Sequence, residues 1–530
     1  MKNNRAVLVF FTLCISLVLT SSEPSLTLAQ ADGNEKARQA LEQALQALGG
    51  LERLRALNSL FFKGKGSEFR STAVQGPDPA TPTRAFHEET IAALPSQDKV
   101  LYEHRTGRHD GSSRWRRWMY AGEERTILDL QDDFISQIRR DPSASAERAR
   151  MARSIPHLLL LEAATQASNL RWVGNQSYAE KPHDVIGFPL PGTKTVLTLF
   201  FAADTHLLSK YEYTMDFPGL GDAVVEFVYS AYRRDPKLGW APAGYKILLA
   251  GKTYREIEFT EVEADSPKAA AAFQISDQML SYLMPVGEAT EVAKGVFIFL
   301  IGSLNPMFIE FKDFILAVEA PAVHPTLERI PADAQPGSDQ MTERFIQKIK
   351  EKIPNKPIRY LAVTHFHSDH AGGARAFLAE GASLLTTPGN KDYFEKLAAA
   401  KYTVMPDRFS GQPRPVVIET FDRKRVITDG ERTVELFNFG KSPHAEENVV
   451  VYLPQEKILF QGDLFYFSGL TPFPAKDPSR DKVMKFFGDW LLKNKLQPAR
   501  IYGFHDRGFA TMTQVRQILS LKRTTGAAGN

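Results

Sequence analysis

The sequence predicts an α+β protein of two domains: an N-terminal domain dominated by an antiparallel β-sheet and a C-terminal domain of layered helices and strands. The chain has 530 residues, more than one ordinary hydrophobic core accommodates. Its residues are 43% hydrophobic and 24% charged, a composition typical of globular proteins. Strand patterns follow one another up to about residue 285, and helix and strand patterns alternate after it.

Residues 1–31 are typical of an export signal. Lys2 and Arg5 precede an apolar run of about 15 residues, and Ala29-Gln30-Ala31 fits a small-x-small cleavage site. The alternative is an uncleaved anchor, but a membrane-spanning helix needs roughly 20 apolar residues. We therefore expect cleavage after Ala31, no stable membrane span after cleavage, and a bacterial periplasmic or secreted protein.

Composition also excludes several classes of function. The single cysteine, Cys14, lies within the predicted signal, so the mature chain would have no disulfide, no cysteine nucleophile and no thiolate metal ligand. The formal net charge is only +3, which does not favour a nucleic-acid partner.

Residues 32–285 form the predicted β-rich domain. Leu41, Leu45 and Leu48 recur at helical spacing before Gly49-Gly50, which predicts a helix and its end. Short amphipathic strands follow from Ser59, with a helical interruption near residues 143–167. This order resembles exported lipoprotein-carrier half-barrels, which implies a curved sheet that could hold an apolar ligand, dock a partner or cover the second domain. Its histidines are scattered, so we assign the domain no chemistry.

Residues 286–525 form the predicted second domain. Three short apolar strands come first, followed by an amphipathic helix over "DQMTERFIQKIKEKI" and a buried strand, "IRYLAVT". Further helices and strands alternate after these. Asp429-Gly430 predicts a hairpin turn. The alternation is typical of helices covering the faces of sheets.

The motif "VTHFHSDHAGG" (363–373) directly follows the buried strand and contains three of the chain's 12 histidines. Ligand sites in α/β sheets tend to lie at the carboxyl ends of strands. The H-x-H-x-D-H spacing can direct alternate side chains to two metals, and imidazole suits zinc, iron and manganese. The alternative is a polar loop without a ligand.

Four side chains cannot complete two coordination spheres, so other segments must supply ligands. Three candidates follow apolar strands: His444 in "FNFGKSPHAEENVVVYLP", Asp463 in "KILFQGDLFYF" and His505 in "ARIYGFHDRGF".

The combined pattern resembles the metallo-β-lactamase-fold hydrolase superfamily over residues 286–525. The resemblance implies an αββα sandwich and two divalent metal ions, zinc first, with iron or manganese as alternatives. It implies that Asp463 bridges the two metals, which would share a hydroxide of lowered pKa. Asp369 would also orient the nucleophile or carry a proton. By the same resemblance, the first metal would be bound by His365, His367 and His444, and the second by Asp369, His370 and His505.

The surroundings of these residues depart from the superfamily's usual pattern. Pro443 and Ala445 flank His444 where glycine and threonine or serine are common, and Gly503-Phe504-His505-Asp506 replaces Pro-Gly-His-Gly. Glu319 stands where an aspartate often supports the metal loop. The sequence therefore predicts the set of metal ligands better than it predicts which metal they bind or how fast the reaction is.

Three observations each argue against one class of reaction. Asp463 argues against a true metallo-β-lactamase, the lack of a Lys/Arg-rich segment against a nuclease, and the export signal against an intracellular thioester hydrolase. We therefore expect an exported dinuclear hydrolase acting on a small ester, lactone or related bond. Tyr466 could reach a substrate oxygen, or it could be a packed aromatic residue. The competing hypothesis is a binding or carrier protein whose metal domain is structural or non-hydrolytic.

Overall fold

The fold is that of a computed structural model of the 530-residue chain. The predicted signal lies mostly outside the described residues, and the helix that begins at Ser25 spans the predicted cleavage site at Ala31. Among the described residues, no helix is long and apolar enough to cross a membrane. The described residues are 25–70, 83–107, 113–130, 134–140, 142–190, 193–217, 221–275, 280–281, 288–301, 304–322, 340–467, 478–506 and 508–520.

The N-terminal region contains five helices and two sheets among its described residues. Its helices are α1 Ser25–Ala47, α2 Leu51–Arg55, α3 Pro142–Arg153, α4 Pro156–Thr165 and α5 Pro267–Ala272. Its strands are β1 Leu60–Arg70, β2 Thr83–Leu94, β3 Lys99–Gly107, β4 Ser113–Ala121, β5 Glu124–Asp129, β6 Phe134–Arg140, β7 Arg171–Tyr178, β8 Lys181–Pro189, β9 Val196–Ala202, β10 Leu208–Phe217, β11 Gly221–Tyr229, β12 Tyr232–Asp235, β13 Gly239–Pro242, β14 Gly244–Leu249, β15 Lys252–Ala264 and β16 Leu280–Ser281.

Fourteen of these strands form one sheet, in the order β16-β6-β5-β4-β3-β2-β1-β15-β14-β11-β10-β9-β8-β7, and β12 pairs with β13 in a separate hairpin. Neighbouring strands are antiparallel, apart from the parallel pair of β16 and β6. Helices α1, α3 and α4 pack on this sheet in one hydrophobic cluster, which includes Leu41, Leu45 and Leu48. The leucine stripe and the β-rich texture are thus confirmed, whereas the likeness to lipoprotein carriers stays a prediction.

The C-terminal region contains two further sheets. Its strands are β17 Ala289–Ala293, β18 Val296–Phe299, β19 Met307–Glu310, β20 Ile315–Val318, β21 Ile358–Ala362, β22 Ser383–Thr386, β23 Ile418–Thr420, β24 Lys424–Thr428, β25 Thr433–Asn438, β26 Val449–Leu453, β27 Ile458–Gln461 and β28 Arg500–Gly503. Its helices are α6 Gln340–Lys352, α7 Ser368–Ala371, α8 Ala374–Glu380, α9 Lys391–Ala399, α10 Arg408–Gly411, α11 Pro478–Lys493 and α12 Met512–Ser520.

One sheet runs in order from β17 to β23, and the other from β24 to β28. The side chains of β26 alternate between two hydrophobic clusters, and this alternation shows how the sheets and helices pack. Val449 and Val451 join a core shared by both sheets and by α6, α8 and α9. Val450 faces the opposite way, into a cluster with α11 and α12. Helices therefore lie outside two facing sheets, which favours the predicted αββα arrangement. Residues 282–287 are outside the described ranges, so the domain limit near 285 stays a prediction.

The topology places several strand ends at one edge of this region. Strands β20 and β21 are parallel, and β27 and β28 are parallel. Two antiparallel pairings in succession make β25 parallel to β27. The backbone N–H of Val449 donates to the carbonyl of Thr364 at 2.6 Å and joins the two sheets at this edge. The sequence-predicted metal residues follow the carboxyl ends of these strands.

Candidate metal centre

The segment that follows β21 includes a short helix. Residues Ser368–Ala371 form one turn of helix, α7, in which the N–H groups of His370 and Ala371 donate to the carbonyl of His367. The turn separates the four candidate ligands into two pairs. His365 and His367 precede it, and Asp369 and His370 lie within it.

The first group consists of three imidazoles that converge. Nε2 of His365 lies 2.8 Å from Nδ1 of His367 and 3.0 Å from Nε2 of His444, and the third separation is 3.1 Å. Nitrogens bound to a tetrahedral zinc at 2.0–2.1 Å would be roughly 3.3 Å apart. The triangle is close to that size, so the three nitrogens fit one face of a metal site.

The second group lies beside the first, and Asp463 lies between the two. Nε2 of His505 is 3.2 Å from Asp369 Oδ2 and 3.2 Å from Nε2 of His370. Asp463 turns Oδ1 toward His370 and His505, at 3.3 and 3.2 Å, and Oδ2 toward His444 at 3.3 Å. Its carboxylate is therefore placed to touch ions in both groups.

The donor set fits two divalent ions. Among the described residues, two clusters of His, Cys, Asp or Glu are close enough to hold a metal: His365, His367, His444 and Asp463 in one, and Asp369, His370 and His505 in the other. Imidazole and carboxylate donors suit zinc and also iron or manganese. All seven sequence-predicted metal residues are thus brought together, and their role as ligands stays a prediction.

Burial and neighbouring charges set the protonation of this cluster. Burial and adjacent histidines hold the pKa values of His365 and His367 well below the usual range. These rings are therefore neutral, the form that binds metal. Burial opposes charge on Asp463 as well, but His505, His370 and His444 outweigh it and lower the pKa of Asp463. The carboxyl group of Asp463 is therefore ionised.

His370 differs from the other imidazoles of the cluster because carboxylates surround it. Burial lowers its pKa, but the negative charges of Glu319, Asp369 and Asp463 outweigh burial and raise the pKa well above the usual value. A metal ion bound to this ring would therefore displace a proton. The negative environment that holds the proton would equally attract a cation.

Glu319 supports the metal segment, as the sequence suggested. It is fully buried and directly follows β20 at φ 74°, a left-handed conformation that is rare for such a residue and often marks functional sites. Its carboxylate accepts hydrogen bonds from the N–H of Thr364 at 3.1 Å and the Thr364 hydroxyl at 2.6 Å. Oε1 also lies 3.0 Å from His370 Nδ1.

Other supporting residues were missed by the sequence reasoning. The Ser442 hydroxyl oxygen accepts from the N–H of His444 at 3.0 Å, and the Asn448 side chain donates to Ser442 at 3.1 Å. Asn305 donates to the carbonyls of Phe504 and Asp506 on either side of His505, at 3.1 and 2.6 Å. The short spacing of Ser442, His444 and Asn448 is a local signal that could have been used. Asn305 has no such signal.

Gly462, which directly precedes Asp463, is required for steric reasons. A Cβ on Gly462 would lie 3.2 Å from Thr364 Cβ and 3.3 Å from His365 Nδ1, and closer still to the Thr364 hydroxyl. The chain before Asp463 can therefore approach the metal segment only because this position has no side chain.

Two tyrosines near the cluster differ in their surroundings. Tyr466 is half-buried and packs against the hydrophobic cluster beneath α11, which favours the packed-aromatic alternative. Its substrate role stays a prediction. Tyr393, which the sequence reasoning missed, lies edge-on to Phe366 with ring centroids 5.8 Å apart. Burial, followed by the nearby Tyr402 and Asp369, raises the pKa of Tyr393.

A second buried polar network lies in the N-terminal sheet. Nε2 of His87 lies 3.2 Å from Glu89, Tyr245 donates to Glu89 at 2.6 Å, and Arg255 donates to Glu68 at 2.6 Å. The histidines of this domain are scattered in the sequence, but the strand register brings His87 together with these other polar residues. Their charges pair with one another, as buried charges in stable sheets must, which indicates a structural role.

One comparison with known proteins covers the part of the chain that holds the candidate metal residues. The family model of the metallo-beta-lactamase superfamily matches residues 336–505. A metallo-beta-lactamase type 2 of Elizabethkingia meningoseptica is 28% identical over 129 residues, 24% of this chain and 44% of that protein. The chain therefore spans less than half the length of this relative.

Solved structures of low sequence identity are also similar to this chain, each over less than half of its length. A metallo-beta-lactamase from Pontibacter korlensis shares 18% identity, covers 44% of this chain and 98% of its own, and has a TM-score of 0.31. The DIM-1 metallo-beta-lactamase shares 17% identity, with 45% and 97% coverage and a TM-score of 0.31. The superfamily match over residues 336–505 includes all seven residues of the two groups, and it confirms the predicted resemblance of this part of the chain to the metallo-beta-lactamase superfamily.

Proposed function

We propose that this protein is an exported, dinuclear metal-dependent hydrolase that cleaves a small ester, lactone or related bond with an activated water. Superfamily membership of residues 336–505 supports a metal-dependent hydrolase. The observation that carries the dinuclear proposal is the position of Asp463, whose two oxygens face different groups of candidate ligands. Export is proposed from the N-terminal sequence pattern.

The candidate ligands are assigned to two metal positions. His365, His367 and His444 would hold one ion, Asp369, His370 and His505 the other, and Asp463 would lie between them. Two divalent cations in such a site polarise a carbonyl or phosphoryl oxygen and lower the pKa of a shared water. We assign zinc to both positions first, since imidazole-rich sets are typical of zinc, with iron or manganese as alternatives.

Asp369 has the best position for proton transfer. Its Oδ2 lies 3.2 Å from His505 Nε2 and 3.9 Å from His370 Nε2, at the edge of the second group. A carboxylate there can accept the proton of an attacking water and give it to the leaving oxygen. The Asp463 carboxyl faces histidines of both groups, so it offers less freedom for this task.

A substrate panel with a metal assay on the same sample tests the proposal. We expect about two metal ions per chain and turnover of at least one ester or lactone, with phosphodiesters included for comparison. Asp369→Ala should abolish turnover, because it removes both a ligand and the proton acceptor. Asp489→Ala, on the exposed face of α11, is the matched control and should keep wild-type rates.

The outcomes separate the alternatives. Full activity of Asp369→Ala would exclude the hydrolase proposal as stated. Two bound metals with no turnover on any substrate would instead favour a binding or carrier protein, in which the β-rich region holds the ligand or partner.

A further inference from the structure

Part of the connection between β22 and β23 lies beside the candidate metal centre. Its residues 387–404 are called the wall segment below. Tyr393, in α9, lies against Phe366, the residue between His365 and His367. The backbone N–H of Gly389 donates to Glu447 Oε2 at 2.9 Å, three residues after His444. The wall segment therefore contacts both the metal motif and the His444 turn.

The inner side of the wall segment is fixed by Arg375 of α8. Its guanidinium donates to the carbonyl of Ala400 at 3.0 Å, and to that of Ala398. The same guanidinium lies over the ring of Tyr402, 4.7 Å from the centroid. Since Arg375 lies five residues beyond His370, the helix that follows the metal motif also holds the end of the wall.

The outer side is held by the N-terminal sheet. Asp222, at the start of β11, accepts hydrogen bonds from the N–H groups of Thr403 at 2.9 Å and Val404 at 3.0 Å, and from the Thr403 hydroxyl. Its own N–H donates to the carbonyl of Lys401 at 2.8 Å. Four hydrogen bonds thus join Asp222 to three residues at the end of the wall segment, Lys401, Thr403 and Val404.

Gly221 makes this close approach possible. It has φ +77°, and a Cβ there would overlap the backbone of Lys401. Burial opposes ionisation of Asp222, but the hydrogen bonds from Thr403 and Val404 outweigh it and lower the pKa of the carboxyl. The acceptor is therefore charged at neutral pH, and hydrogen bonds to charged groups are the stronger kind.

We propose that Asp222 is a positioning residue through which the β-rich N-terminal region holds the wall of the metal centre and so sets how substrate binds. The part that concerns substrate rests on the proposed hydrolase function, whereas the part that concerns the wall does not. The N-terminal region thereby has a defined task toward the second domain, namely to fix one face of its site.

Hydrogen exchange of the full chain tests the positioning without any substrate. Asp222→Ala should accelerate exchange of the wall segment by about tenfold or more, since hydrogen bonds to a charged acceptor are lost. Asp222→Asn keeps one oxygen for the two backbone donors and should restore most of the protection. Asp235→Ala is the matched control, because Asp235 accepts from the N–H groups of Lys237 and Leu238, both at 2.8 Å, within the N-terminal region.

Exchange that is unchanged in Asp222→Ala, or equally faster in Asp235→Ala, would overturn the proposal. If exchange in Asp222→Ala becomes faster over the whole chain, the substitution has destabilised the protein generally. In that case, failure of Asp222→Asn to restore protection of the wall segment would count against a positioning role. The exchange result stands whether or not a substrate is found.

Steady-state kinetics on the substrate from the panel extend the test. Asp222→Ala should raise KM severalfold with a smaller change in kcat, because the wall meets substrate while the metal residues stay in place. A selective loss of kcat with unchanged KM would exclude the substrate-binding part. Absence of turnover in the wild type would be a failure of the hydrolase proposal and would leave the exchange prediction intact.

Discussion

Glu319 Oε1 lies 3.0 Å from Nδ1 of His370, while Nε2 of the same ring faces Asp463 at 3.3 Å. A carboxylate on Nδ1 fixes the tautomer that leaves Nε2 as the donor for a metal, an arrangement common behind metal-bound histidines. The left-handed backbone of Glu319 and the Thr364 bonds serve the same end, because they aim this carboxylate at the ring.

Glu319→Gln should weaken metal binding at the second group. An amide nitrogen beside Nδ1 donates a hydrogen bond and favours the tautomer with a proton on Nε2, which opposes coordination. Loss of such a partner typically lowers metal affinity about 10–100-fold. Titration calorimetry of the metal-free protein with zinc measures the change. Glu351→Gln on the exposed face of α6 is the control, and equal affinity in both variants would contradict this role of Glu319.

His505→Ala should reduce the metal content from about two ions to about one. His505 contributes Nε2 to the second group. The first group does not involve His505, because its short distances of 2.8–3.1 Å join only His365, His367 and His444. Metal analysis after dialysis gives the ratio.

His206→Asn is a suitable control for this change, because His206 lies at φ 57°, where asparagine is tolerated. Changing Asp463 and His505 together should keep the ratio at or below one. A ratio of metal to protein near two in that double variant would contradict the dinuclear assignment.

The sequence was sufficient to predict that the candidate metal residues come together, but not to predict what surrounds them. His365, His444, Asp463 and His505 each follow an apolar strand, and parallel strands end at one edge, so their convergence could be inferred from order alone. Asn305 could not be found in this way, because the carbonyl groups that it contacts lie 199 and 201 residues further along the chain, and no short-range pattern encodes such a contact.

Two strands, β4 at Ser113–Ala121 and β7 at Arg171–Tyr178, lack the amphipathic pattern from which strands were predicted. In β4 the first residues are arginine-rich and only partly buried on both faces, and β7 is mostly exposed. Apolar and polar residues therefore do not alternate, and pairing with neighbouring strands, rather than burial, makes these segments extended.

Gly462→Ala should impair both stability and metal binding. The added methyl group would press on Thr364 and His365 Nδ1, and overpacking of this kind costs about 1–3 kcal/mol. Gly411→Ala is the matched control, since a Cβ at that position meets nothing within 4 Å. Urea unfolding of the metal-free proteins gives the free energies. Similar midpoints for the two variants would show that the contact at Gly462 relaxes easily.

Asp407→Asn should destabilise the protein at neutral pH and lose that effect in acid. Asp407 and Arg375 are both about 5% exposed, and breaking a buried pair by removing one charge costs about 3–5 kcal/mol. Burial raises the pKa of Asp407, but bonds from Arg375 and Ser410 outweigh it and hold the pKa below its ordinary 3.8. A lowered folded-state pKa contributes stability above 3.8 that disappears as the pH falls through the folded value. Urea midpoints of the metal-free wild type and variant should therefore differ at pH 7 and converge below pH 3.8, whereas a constant difference would show that the charge of Asp407 is not what stabilises the pair.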